Sequence, residues 1–98
     1  MARSIKTWTT ISCSTSAAQA LASNGNRAGF VVQNNSDVDI YVLMRKTSSA
    51  DTTEATSSNG LKLGPGENWF LDGSECPDGE IRAIAASGSS KTLLVVEW

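Results

Sequence analysis

Ninety-eight residues with ten carboxylates, eight Lys and Arg and no His give a formal charge of −2, in a chain long enough for one core and too short for two. The cations are scattered from Arg3 to Lys91 without a basic stripe, so nucleic acid is not an expected partner. No stretch approaches the roughly 18–20 apolar residues of a membrane span and Met1 to Ser14 holds no apolar leader, so no membrane partner and synthesis in the cytosol are expected.

The hydrophobic fraction is 40%, but eleven of those residues are Ala, so large core side chains are fewer than the percentage suggests. A chain of this length buries only about 60–70% of its unfolded surface, and association with further subunits is an expected supplement.

Thr7 to Ser14 is Thr-rich and reads as a first strand, with Ile11 and Cys13 on one face and Trp8 on the other. Ser16 to Ser23 has helix-forming composition but is stopped at once by Asn24-Gly25-Asn26, which leaves a short strand or a single helical turn. Phe30 to Asn34 and Ile40 to Met44 are β-branched and aromatic runs, joined by the polar residues 35–39 at hairpin length. Both runs are apolar on both faces, as central strands are, with Phe30 and Val32 on one face and Val31 and Gln33 on the other. Gln33 and Asn34 interrupt the apolar run and need hydrogen-bond partners if buried.

Residues 45–59 contain no large apolar side chain, which predicts a long surface loop, either a partner-contact segment that includes Arg45 and Lys46 or a connection without a role. Asn59 to Gly73 then holds a strand, a turn and a strand. Pro65 presets φ for the first central position of a type II turn, Gly66 supplies the positive φ of the next, and Trp69, Phe70 and Leu71 resume an aromatic strand. After a turn-rich stretch to Gly79, Glu80 to Ala86 and Lys91 to Trp98 form the last two strands. Six to eight short strands at roughly ten-residue spacing indicate an all-β fold, a single antiparallel β-sandwich that is jelly-roll-like or a partly open barrel. It occupies residues 1–98, with residues 1–6 as a flexible arm.

The residues offer little chemistry. No His is available as a base, and the many Ser and Thr have no partner to activate them, so no catalytic residues and no cofactor are assigned. Asp72, Glu75, Asp78 and Glu80 cluster in one loop but lack the spacing of a calcium loop, and a solvated turn is preferred to a metal site. Cys13 and Cys76 are too far apart in sequence for a paired-cysteine clip; they form either a disulfide or, the preferred reading in a reducing compartment, two buried free thiols. Trp8, Trp69 and Trp98, with Phe70, are core or subunit-interface aromatics, or a stacking face for sugars. Trp98 ends the sequence and is expected to dock, on its own chain or on an adjacent subunit.

Four pieces in order carry a resemblance: Ala18 to Asn26 followed by Arg27; Gly29 to Asn34 leading to Ile40-Tyr41-Val42; Gly60 to Glu67; and Gly79 to Ala85 ending in Val95-Val96-Glu97. In these the chain resembles the small β-sandwich virion proteins of tailed bacteriophages, including capsid decoration or cement proteins, over about Ser12 to Glu97. The resemblance implies a structural protein of the capsid surface without catalysis, acting as a symmetric oligomer, a trimer by preference, against the major capsid protein. The resemblance carries over no binding residue; the residues themselves assign Trp8, Arg45, Lys46, Trp69, Phe70 and Trp98 to an oligomer or capsid interface and Pro65, Gly66 and Gly79 to turns. Arg27, at the entry to a strand, is placed to tie its loop to carbonyls or a carboxylate. The alternative is a carbohydrate- or receptor-binding module of a head fibre or tail, with Trp69 or Trp8 as its platform.

Overall fold

A computed structural model describes residues 4–46, 51–73 and 76–98. Eight strands follow one another: β1 (Thr7–Cys13), β2 (Ala18–Leu21), β3 (Gly29–Asn34), β4 (Ile40–Met44), β5 (Leu61–Leu63), β6 (Asn68–Asp72), β7 (Ile81–Ala85) and β8 (Lys91–Glu97). The 16–23 segment is thus a strand, not a helical turn. The strands form two four-stranded sheets, sheet A in the order β1-β8-β3-β6 and sheet B in the order β2-β7-β4-β5, with every pairing antiparallel.

First pairs with eighth, second with seventh, third with sixth and fourth with fifth, so the chain is one long hairpin rolled up on itself. Rolling adds the β3·β8 and β4·β7 ladders that complete each sheet. This is the strand order of an eight-stranded jelly roll. The fold class is therefore an all-β antiparallel sandwich, and β3 and β4 are interior strands, as their two-sided apolar character requires.

Neither expected hairpin exists. β3 and β4 lie in different sheets, and so do β5 and β6, because in each case the connection turns a corner between layers. The reason is legible in the second case. Gly64 to Glu67 is a type II turn, closed by the Glu67 amide on the Gly64 carbonyl at 3.0 Å with Gly66 at φ 83°. Types I and II splay the strands they join, whereas the primed turns match strand twist and make hairpins. At the first corner Asn34 does the work of a turn. It is fully buried and donates to the Val38 and Leu63 carbonyls, each at 2.7 Å, while its Oδ1 accepts from the Ser36 amide and hydroxyl. The polar residue that interrupts the strand is the one that folds the chain over.

The inward residues Cys13, Phe30, Val32, Ile40, Val42, Ile81, Leu93 and Val95 form the core between the sheets. At one end of that core Arg27 is buried beside Phe30, its guanidinium 5.8 Å from the ring centre. It donates to Glu97 at 3.1 Å, to the carbonyls of Pro77 and Gly79 at 3.0 and 2.9 Å, and to the Ala22 carbonyl at 2.8 Å. Asn24 completes the Glu97 carboxylate from its other oxygen at 2.8 Å. Gly79 lies in a bend, and what demands glycine there is space, since a Cβ would collide with the Arg45 carbonyl.

Replacing Arg27 by Met leaves Glu97 buried without its charge partner and removes the guanidinium from three carbonyls, and should cost about 3–5 kcal/mol. Thermal unfolding followed by circular dichroism would show a midpoint lowered by more than about 10 °C, and Arg27→Lys, which keeps the charge but not the fork, should recover only part of it. An unchanged midpoint in Arg27→Met would show that the buried pair does not hold the fold.

Candidate interaction surface

Residue alternation sorts each strand of sheet A into an inward and an outward set. The outward set is Trp8, Thr10 and Ser12 of β1, Leu94 and Val96 of β8, Val31 and Gln33 of β3, and Asn68, Phe70 and Asp72 of β6. The ladder registers line these up across the sheet. Trp8 stands opposite Val96, Val96 opposite Val31 and Val31 opposite Phe70, an apolar row that crosses all four strands. Trp8 is 69% exposed and Phe70 61%, while Val96 between them is only 4% exposed although it stands on the outer face.

Trp98 extends this surface. Its backbone exchanges both hydrogen bonds with Gly29, and its indole lies where a Cβ on Gly29 would sit, with Nε1 donating to Asp72 at 3.2 Å. Gly29 is needed as a floor for the ring. The terminal Trp therefore docks on its own chain, across β3 toward β6. Lys6 is held as well, through its amide on the Glu97 carbonyl and its ammonium on the Asn26 carbonyl, so the flexible arm expected over residues 1–6 does not extend to it.

The outer face of sheet B is different, because the chain covers it with its own 51–60 segment. Glu54 takes two hydrogen bonds from Arg82 of β7, at 2.7 and 2.9 Å, and lies 3.7 Å from Arg45. Arg45 and Arg82 both also pair with Glu80, at 2.7 and 3.1 Å, so two cations and two carboxylates alternate in one network. Ala55 is buried, Gly60 packs on Tyr41 of β4, and Asn59 closes the turn on the amide and hydroxyl of Thr56. Charge and one small side chain seat the 51–60 segment, and Arg45, expected at an interface, is paired within its own chain. Lys46 is exposed, with its amide on Asp51.

The electrostatics follow the contacts. Hydrogen bonding from Arg82 holds the Glu54 carboxyl below its ordinary range, and the same contact pushes the Arg82 guanidinium up. Asp51 is brought down to about 2, first by the Lys46 amide and then by the hydroxyl and amide of Thr53. Cys13 and Cys76 are free thiols, Cys13 buried and Cys76 half-buried, and desolvation is the main cause that raises both, Cys13 to about 11.

Of the expected interface residues, the structure thus gathers Trp8, Phe70 and Trp98 on one face and sends Arg45 and Lys46 elsewhere. Trp69 points inward, edge-to-face on Phe30 with centroids 5.0 Å apart. Val31, Leu94 and Val96 join the face without having been singled out, because only the pairing of β8 with β1 and β3 brings them beside Trp8. Pro65 and Gly66 form the turn assigned to them. In the acidic loop, Glu75 lies outside the described residues, Glu80 is paired with arginines, and Asp78 Oδ1 is buried with no hydrogen-bond partner among the described residues. Among the described residues no three metal-ligating side chains gather. Comparison with known proteins finds no family model, no curated protein and no solved structure that matches this chain.

Lowered carboxyl values mean that the 51–60 segment is held above the ordinary 4.5 of Glu and 3.8 of Asp and released as pH falls through the folded values. Hydrogen exchange, corrected for its intrinsic rate, should show protection of this segment falling as pH drops from 4.5 toward about 2 and lost at neutral pH in Glu54→Gln, while β3 and β8 stay protected. Equal protection in Glu54→Gln would refute the charge lock. For Cys13 the sign is opposite. The folded state keeps a proton that the unfolded chain releases above 9.0, so stability is intact below that pH and declines up to about 11. Denaturant midpoints across that range should fall more steeply in the natural protein than in Cys13→Val.

Proposed function

We propose that this protein is a capsid decoration, or cement, protein of a tailed bacteriophage: a symmetric homo-oligomer, a trimer by preference, that binds the assembled shell and bridges neighbouring major capsid proteins. It is made in the cytoplasm of the host bacterium and works on the virion surface, by binding alone. The observation that carries this reading is the contrast between its two faces. Sheet B is covered by the chain's own loop, while sheet A carries an apolar row whose two ends, Trp8 and Phe70, are largely exposed. Exposed apolar surface gathered in this way marks an association site.

Two further points support it. The jelly roll is an architecture of viral capsid proteins, an analogy at the level of fold that lends weight without deciding function. The sequence resemblance to phage cement proteins points to the same class. The mechanism is mass action: a protein that binds the closed shell and not its separated parts shifts the equilibrium toward the shell. Modest contacts suffice when they are repeated over many sites.

The rival sugar-binding reading now rests on Trp8. Trp69 is engaged with Phe30, so the exposed indole of β1 is the available platform. Glycan titration followed by tryptophan fluorescence, with Trp8→Ala as the control, separates the two.

The direct test is the temperature at which purified capsids release their contents, measured with and without saturating protein. A rise of several degrees is expected, accompanied by co-sedimentation. An unchanged release temperature at full occupancy would end the cement reading.

A further inference from the structure

β1 and β6 are the two outer strands of sheet A, and of the usual edge defences they carry a single charge, Asp72 at the end of β6. Outer strands are normally shielded by charge, proline, a bulge or brevity. β1 runs seven residues without a charge or a proline, and its inward residue Thr9 is exposed along with the outward Trp8, Thr10 and Ser12. β6 likewise exposes Leu71 on its inward side and Phe70 on its outward side.

The hydrogen-bond alternation fixes which backbone groups face each open edge. Trp98 and Gly29 exchange both bonds, so even-numbered residues of β8 face β3 and odd-numbered ones face β1. The open side of β1 therefore belongs to Trp8, Thr10 and Ser12. The Asn34 amide on Glu67 and the Gly73 amide on Ala28 set the β3·β6 ladder, which turns Asn68, Phe70 and Asp72 toward the other open edge. On both edges the residues whose backbone faces outward are also those whose side chains lie on the apolar face.

We propose that β1 of one copy pairs antiparallel with β6 of the next, Trp8 opposite Phe70, so that copies close head to tail into a ring with one continuous sheet. This rests on the oligomeric part of the reading above and names its contact. Directions alternate along β1-β8-β3-β6, so β6 meets the next β1 antiparallel by rotation alone. In this register Thr10 stands opposite Asn68 and Lys6 opposite Asp72, which brings a cation to a carboxylate at the junction. Lys6 has its amide on Glu97 and its ammonium on the Asn26 carbonyl, and Asp72 keeps its bonds from Gly73 and Trp98, so each contributes its charge to the junction and not an unengaged side chain. The apolar row then runs unbroken from copy to copy, with an aromatic pair at each junction. A two-fold pairing of β1 with β1 is the lesser solution, because it leaves Phe70 and the β6 edge bare. Contacts of the head-to-tail kind make rings when the rotation closes.

Trp8→Glu blocks one side of the junction and Phe70→Glu the other. Both side chains are largely exposed, and an unchanged β-sheet circular dichroism spectrum verifies each fold. Sedimentation at about 100 µM, where even weak association is populated, should give a ring for the natural protein and a monomer for each variant. Self-association should weaken by at least about tenfold in either. Equal amounts of the two variants should form a dimer, since the intact β6 edge of Trp8→Glu meets the intact β1 edge of Phe70→Glu. A natural protein that stays monomeric, or a Phe70→Glu chain that stays oligomeric, overturns the proposal. Shell binding is read separately: a monomer that still raises capsid release temperature removes the ring and leaves decoration standing, and a ring without effect on capsids does the reverse.

Discussion

The fold depends on the burial of Arg27 against Glu97. β8 lies between β1 and β3, and a slip of one residue in its register would send Leu93 and Val95 outward and bring Leu94 and Val96 into the core. Both sets are apolar, so hydrophobicity alone discriminates weakly between the two registers. Glu97 breaks the tie. It sits on the inward side at the end of β8, where only the correct register brings it to the guanidinium and to Asn24. A buried ion pair is weak as net stabilisation. Its value here is that the wrong register turns Glu97 to the outer face and leaves Arg27 buried without its charge partner.

That anchor also gathers the connections at one end of the sandwich. The carbonyls of Ala22, Pro77 and Gly79 come from the β2–β3 and β6–β7 connections, and all accept from the same side chain. Glu97 is 70 residues from Arg27 and 73 from Asn24, so the closure is entirely non-local. A rolled hairpin of this kind cannot reward its early contacts until the ends meet, which is a recipe for slow folding. It also explains the outer face. Trp98 follows Glu97 directly, and fixing Glu97 delivers the indole onto the bare strand of Gly29.

The strands were legible because alternation and turn residues are local. Phe30 and Val32 against Val31 and Gln33, or Cys13 and Ile11 against Trp8, could be sorted by parity before any partner was known. Strand pairing was not legible in the same way. The residues of a hairpin turn and of a corner between sheets are drawn from one vocabulary, and residues 35–39 carry no mark that separates them. Pro65-Gly66 did carry one, since the type II turn that these residues specify splays the strands it joins and argues against a hairpin. Arg27 was recognised as a tie, but its partners were hidden because three are backbone carbonyls, which every residue possesses. What seats the 51–60 segment was not legible, because a charge and a small side chain, Glu54 and Ala55, carry no local signal of what they pack on.

The two sheets divide the demands that a small β protein must meet. Sheet B ends in strands of four and three residues, the latter carrying Lys62, and its broad face lies under a charged loop. Short, charged and covered edges are the usual defences against unwanted pairing. Sheet A has longer outer strands, no charge within β1, and a face on which Trp8 and Phe70 remain in water. Had the whole molecule been under pressure only to stay monomeric, the defences on one sheet would be expected on the other. The proposed contact rests on sheet A having fewer of them, with Asp72 at the end of β6 as the one charge within its outer strands, and on the matched parity of its two edges.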